Sequence, residues 1–147
     1  MYTGHVTWRR LRWVGPLTII VALIANLLLR AIGIAVFHLS PKFAPLGIGP
    51  VVFWSVVTGI GAVLVFALVG RFKENPIPTF LMIAFSVYLA TFYPDYLVLF
   101  SNPPVFPGTN FYSVATLLSM HVVEACIMMC ILTVLGLERK SKDIDVI

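Results

Sequence analysis

A chain of 147 residues that is 60% hydrophobic and 11% charged, with a mean hydropathy of +1.00, lies far from soluble proteins, in which about a quarter of residues are charged. This composition excludes an ordinary soluble domain and predicts an integral membrane protein, with one membrane domain over residues 1–147 because the links between apolar runs are too short to fold alone. The net charge of +4 does not point to nucleic acid. Arg9, Arg10, Arg12, Arg71, Lys73, Arg139, Lys140 and Lys142 all flank apolar runs, where they read as topology signals and contacts with anionic lipid heads, and no basic aromatic motif is present.

Residues 1–12, MYTGHVTWRRLR, form a basic leader with Trp8 and Trp13 at interface positions. The apolar run that follows is too long for a signal-peptide h-region, so no cleavage is expected. Span one is predicted over 13–38, with Pro16 in its first turns, where a missing N–H costs little. Asn26 and Arg30 share one face of it, and Gly33 follows one turn on. The link 39–50, LSPKFAPLGIGP, carries three prolines and two glycines and cannot be a regular helix.

Span two is predicted over 51–70, and its small residues Ser55, Thr58, Gly59 and Ala62 read as a face for close helix packing. The short basic link RFKENP at 71–76 makes spans two and three antiparallel neighbours. Span three covers 77–100, with Tyr88, Thr91 and Asp95 on one face. Pro94 is expected to kink or end it near Ala90. After the link SNPPVFPGTNFY, span four runs over 113–137 as SVATLLSMHVVEACIMMCILTVLGL, and the polar cytoplasmic tail 138–147 is expected to fray.

Span four carries His121 and Glu124 near its middle. An ionised carboxylate there costs about 2.5 to 3.5 kcal/mol on insertion scales, so Glu124 must be protonated, paired, or turned toward a wet or protein-lined interior. Cys126 and Cys130 lie one turn apart on the same helix with diverging side chains, so no disulfide is expected between them.

Lysine and arginine counts set the orientation. The leader has three, the link 71–76 two and the tail three, against Lys42 alone in the two proline-rich links. The expected fold is therefore an all-α membrane protein, a four-transmembrane-helix antiparallel bundle with both termini cytoplasmic.

At 1.5 Å per helical residue, Arg30 stands about 26 Å above the cytoplasmic end, Asp95 about 27 Å, His121 about 24 Å and Glu124 about 20 Å. Side chains lean toward their own helix N-terminus, which narrows the remaining offset. Arg30 is thus expected to pair with Glu124, Asp95 or both, with His121, Asn26 and Tyr88 completing a polar cluster. Such a cluster can be structural glue between helices, a cavity for a polar or anionic head group with Arg30 as its charge, or a proton or redox site. Arg30 can also snorkel alone to the outer interface.

His121 is a candidate haem ligand, with His38 the other histidine near the outer side. Met120, Cys126, Met128, Met129 and Cys130 would suit a soft metal if gathered, but they are spread around the helix and read as packing. No metal or cofactor is expected. No nucleophile with a partnered base, phosphate loop or zinc motif appears, and no enzyme is expected.

The stretch RFKENPIPTFLMIAFSVYLATFYPDYL, with the pair Thr79 and Phe80 and a proline closing the third span, resembles a bacterial family of small four-helix membrane proteins, domain of unknown function 6069. The SMHV of span four, with Met120 and His121, and the spacing of Asn26 and Arg30 are similar to that family too. Glu124 departs from a pattern expected to be apolar or small there. The resemblance implies a four-helix bundle in a bacterial cytoplasmic membrane and carries almost no function. LLLRAIGIAVFHLSPKF is also similar to the first helix of the DoxX-like proteins, which the later spans do not follow.

The expected function is a non-catalytic accessory or structural subunit whose partners are membrane lipids and other membrane subunits or a second copy. The alternative is a binding or transport module holding a lipid head group, quinone or small anion at the polar cluster. A haem-binding redox protein is third.

Overall fold

The structure is a computed structural model and describes residues 4–139. Four helices, α1 (Trp8–Phe37), α2 (Ile48–Phe72), α3 (Pro76–Phe100) and α4 (Phe111–Leu135), are each long and apolar enough to cross a membrane. At 1.5 Å per residue the 25-residue helices reach about 37 Å, more than the hydrocarbon core of about 30 Å.

Sequence punctuation explains most helix ends. Pro76 opens α3 at a position where its missing N–H is no loss. Asn110 caps α4: its Oδ1 accepts the Ser113 N–H at 2.8 Å, and the Ser113 Oγ accepts the Asn110 N–H at 2.9 Å, satisfying donors that a helix start leaves free. His38 closes α1 in the left-handed region at φ 50°.

Three expectations require correction. Helix α1 begins at Trp8 rather than at 13, so Arg9, Arg10 and Arg12 of the basic leader already lie in its first turns, where arginine is a good helix former. Pro94 does not end α3, which runs on to Phe100. Its lost hydrogen bond and ring clash are confined to one turn, and the apolar helix on both sides carries the chain through. The segment after α4 is also tied down at its start. Strand β1 (Gly4–Val6) pairs antiparallel with β2 (Leu137–Arg139), and Arg10 Nη1 donates to the Leu137 carbonyl at 3.1 Å. The tail beyond Arg139, with Lys140 and Lys142, lies outside the described residues, as do residues 1–3.

Helix α1 packs along both α4 and α2, whereas α3 lies against α4 and only loosely against α2, with almost no contact to α1. Glycines set the tight seams: a Cβ on Gly33 would come within 2.6 Å of Thr116 Cγ2, and one on Gly59 within 2.7 Å of Ile19 Cγ1. Two apolar cores result. One, at the ribbon end, gathers Leu11, Val14, Phe66, Phe80, Leu132 and Leu137, with Phe66 and Phe80 meeting edge to face at 5.0 Å. The other, at the end of the proline-rich links, gathers Leu39, Phe43, Leu46, Val51, Val114 and Met120.

The two proline-rich links pack on each other. Phe43 is buried and meets Phe106 edge-on at 6.2 Å. Gly108 sits at φ +82°, where a side chain would both strain the backbone and strike Ser40, so glycine is required there. On α1, Ile20, Ile24, Leu28 and Ile32 recur every turn on an exposed face, the stripe an acyl-chain solvent favours.

Candidate functional site: a polar layer beside an intramembrane cleft

Between the two apolar cores lies a layer of polar side chains contributed by α1, α2 and α4. Asn26 is 2% exposed, and its Nδ2 carries two protons with two acceptors: Ser55 Oγ at 2.8 Å and Glu124 Oε2 at 2.7 Å. Thr58, one turn from Ser55, places its Oγ1 within hydrogen-bond reach of both Glu124 Oε1 and the Trp54 carbonyl, the latter at 2.7 Å, and its one proton can serve either. Both oxygens of Glu124 are thus held by neighbouring helices, and the residue is 8% exposed. Asn26 Oδ1 is buried without a hydrogen-bond partner among the described residues.

A second pair joins α3 to α4. His121 Nε2 lies 3.2 Å from Asp95 Oδ2, within ion-pair distance although the two are not aligned as a hydrogen bond. Asp95 is buried, while the imidazole keeps 30% of its surface exposed.

Arg30 joins neither group. Its Nε donates to the Leu46 carbonyl at 2.5 Å, tying α1 to the first proline-rich link, and the expected pairing with Glu124 or Asp95 is not formed. The reason is the order of packing: α1 sits between α2 and α4 and scarcely touches α3, so Asp95 is on the far side of the bundle from it. Arg30 also stands one turn beyond Asn26, on the way to the link, and its guanidinium turns toward that end as a snorkelling side chain does. Tyr88 makes no hydrogen bond to Asn26, Arg30, Asp95 or Glu124 among the described residues; it lines a cavity. Of the six residues expected to converge, Asn26 meets Glu124, and Asp95 meets His121.

The cavity lies between α2, α3 and α4, with a volume of about 270 Å³. Thr58, Tyr88, Thr91, His121 and Glu124 line it toward the proline-rich links, and Phe80, Met128 and Met129 line it toward the ribbon end. Each helix contributes in the same order, polar nearer the links and apolar nearer the ribbon, so the cavity is polar at one end. It extends about 12 Å along α4, counted from His121 to Met129. Thr58, Ile83 and Val87 on its rim are exposed, at the loosely packed seam of α2 and α3.

Ser55 and Thr58 complete the layer, and their sequence signal was an i, i+3 polar pair within an apolar span. Hydroxyls of this kind also bond back to their own helix, as Thr58 does, so the pattern reads equally as packing. His38 is exposed at the end of α1. Met120 and Met128 are buried while the free thiols Cys126 and Cys130 are exposed, so the sulfur atoms of α4 point to different sides of the helix. Among the described residues no group of three or more histidine, cysteine or acidic side chains stands close enough to hold a metal ion.

No curated protein and no solved structure matches the chain. A family model does match, over residues 6–136, a stretch that takes in all four helices and both proline-rich links. This integral membrane protein with four spanning-length helices therefore belongs to the family of unknown function DUF6069.

Proposed function

We propose that the protein is a non-catalytic membrane binding module that holds one amphipathic, membrane-soluble molecule of lipid or quinone size in the cleft between α2, α3 and α4. The sorting of the cleft wall carries this reading: polar side chains at one end and apolar ones at the other match a head and a tail, as ligand pockets with a few convergent polar groups generally do. The exposed rim at the loose α2 and α3 seam gives such a molecule a route from the bilayer. The proposal takes the bundle as antiparallel in a bacterial cytoplasmic membrane, with both termini cytoplasmic. The contacts Gly15 to Val63 and Gly33 to Thr116, and the pairing of β1 with β2, support the first part. The concentration of Lys and Arg in the leader, the link 71–76 and the tail supports the second.

Gly61 supplies the test. It lines the cleft, and a Cβ built there meets nothing within 4 Å, so Gly61→Phe enters open space and extends into the cleft. Protein purified in mild detergent and extracted with organic solvent should release one amphipath by mass spectrometry, and Gly61→Phe should lose it while staying folded. Equal amounts in both proteins, or none in either, would overturn the reading. The second reading, an accessory or structural subunit, is favoured by the short links, which leave no room for a soluble active site. A stable complex with another chain in native mass spectrometry would support it, and a partner-free monomer would contradict it.

A further inference from the structure

We infer that the molecule taken by this cleft is a lipophilic cation, with Glu124 as its counter-charge; the inference rests on the cleft being the binding site. The charges at the polar end do not balance. The cleft wall carries one carboxyl, Glu124, and one imidazole, His121, whose neighbour behind the wall is the buried carboxyl of Asp95, and the phenol of Tyr88 adds no positive charge. Arg30, the basic residue of α1 nearest this height, is directed to the Leu46 carbonyl, α2 places no titratable group in the cleft, and no Lys or Arg among the described residues pairs with either carboxyl. Asp95 is the buried neighbour of His121, so a charge on the imidazole is spent on Asp95 and leaves Glu124 unmatched.

A negative charge without a partner is costly at this depth, and a positively charged ligand relieves it. A phospholipid phosphate or a fatty-acid carboxylate would instead add a second negative charge beside the first. The remaining wall narrows the class further. Tyr88 offers an aromatic ring at the polar end and Met129 a polarizable thioether further along, surfaces that suit a positive charge carried within apolar groups. A small hydrated metal ion needs six or more oxygens, which this wall does not provide.

The experiment uses the full chain in phosphatidylcholine nanodiscs, with empty nanodiscs subtracted, and three probes: tetraphenylphosphonium, tetraphenylborate of the same shape and opposite charge, and the neutral decylubiquinone. Saturable binding of tetraphenylphosphonium at one site per chain is expected, with no excess of tetraphenylborate. Glu124→Gln should weaken it by about tenfold or more, and Glu124→Asp, which keeps the charge, should retain most of it. Tetraphenylphosphonium binding unchanged in a folded Glu124→Gln overturns the inference. Saturable binding of tetraphenylborate or decylubiquinone, blocked by Gly61→Phe, without binding of the cation overturns it while leaving the cleft as a binding site. No saturable binding of any probe overturns both. Should Glu124→Gln fail to fold, the choice of the wild-type protein between the two tetraphenyl ions decides.

Discussion

The side-chain amide of Asn26 donates to Glu124 Oε2 across 2.7 Å, joining α1 to α4 at the height where α2 contributes Ser55 and Thr58. A hydrogen bond to a charged group contributes about 1.5 to 3 kcal/mol in soluble proteins, but cross-helix bonds in a membrane average about 0.6, because the separated helices also find partners. For Asn26→Leu and Glu124→Met, a double-mutant cycle read by unfolding in mixed micelles should give a coupling of about 1 kcal/mol. Strictly additive variants would mean that the two side chains do not meet.

The seam between α1 and α4 is set by Gly33, whose added Cβ would lie 2.6 Å from Thr116 Cγ2 and 2.9 Å from its Oγ1. Overpacking of this kind costs about 1 to 3 kcal/mol. Gly33→Ala should lower the unfolding midpoint, and Thr116→Ala in the same chain should restore most of the loss. Additive losses in the double variant would place the clash elsewhere.

Arg30 holds the first proline-rich link through the Leu46 carbonyl and stands apart from the cleft. Arg30→Ala should therefore speed amide hydrogen exchange in residues 39–47 and leave the amount of co-purified amphipath unchanged. Loss of the bound molecule with no change in exchange would return Arg30 to the binding site.

Four spans, and the burial of Asn26 and Glu124, are legible from hydropathy and spacing, because a polar side chain in the middle of an apolar helix must find a partner inside the protein. Which helices are neighbours is not legible in the same way. Rise per residue fixes height but not position around the bundle, so Arg30 and Asp95 reach the same depth on helices that barely touch. Asp95 and His121, on helices that do pack, lie side by side. Ser55 and Thr58 were hidden by their size, since a serine or threonine on a tight helix face serves packing and hydrogen bonding with the same pattern. Pro94 does not end α3, because a proline costs one turn of hydrogen bonding and an apolar helix in lipid has no better alternative than to continue.

Asp95 is buried beside a half-open imidazole. Removing the imidazole leaves the buried carboxyl without that neighbour, and a buried polar group left unsatisfied costs about 1 to 3 kcal/mol. His121→Ala should thus destabilise more than Asp95→Asn does, and Asp95→Asn placed on top of His121→Ala should recover part of the loss in the same unfolding assay. A double variant less stable than His121→Ala alone would contradict the pairing.

The polar layer that brings α1, α2 and α4 together beside the cleft is tested most directly by a solid-state NMR dipolar measurement between 15N at Asn26 Nδ2 and 13C at Glu124 Cδ, with the protein in lipid. Strong dephasing, as a 2.7 Å contact from Nδ2 to Oε2 requires, is the expected result. Its absence in well-folded protein would mean that Glu124 faces elsewhere, and the layer, the cleft's polar end and the counter-charge would fall together.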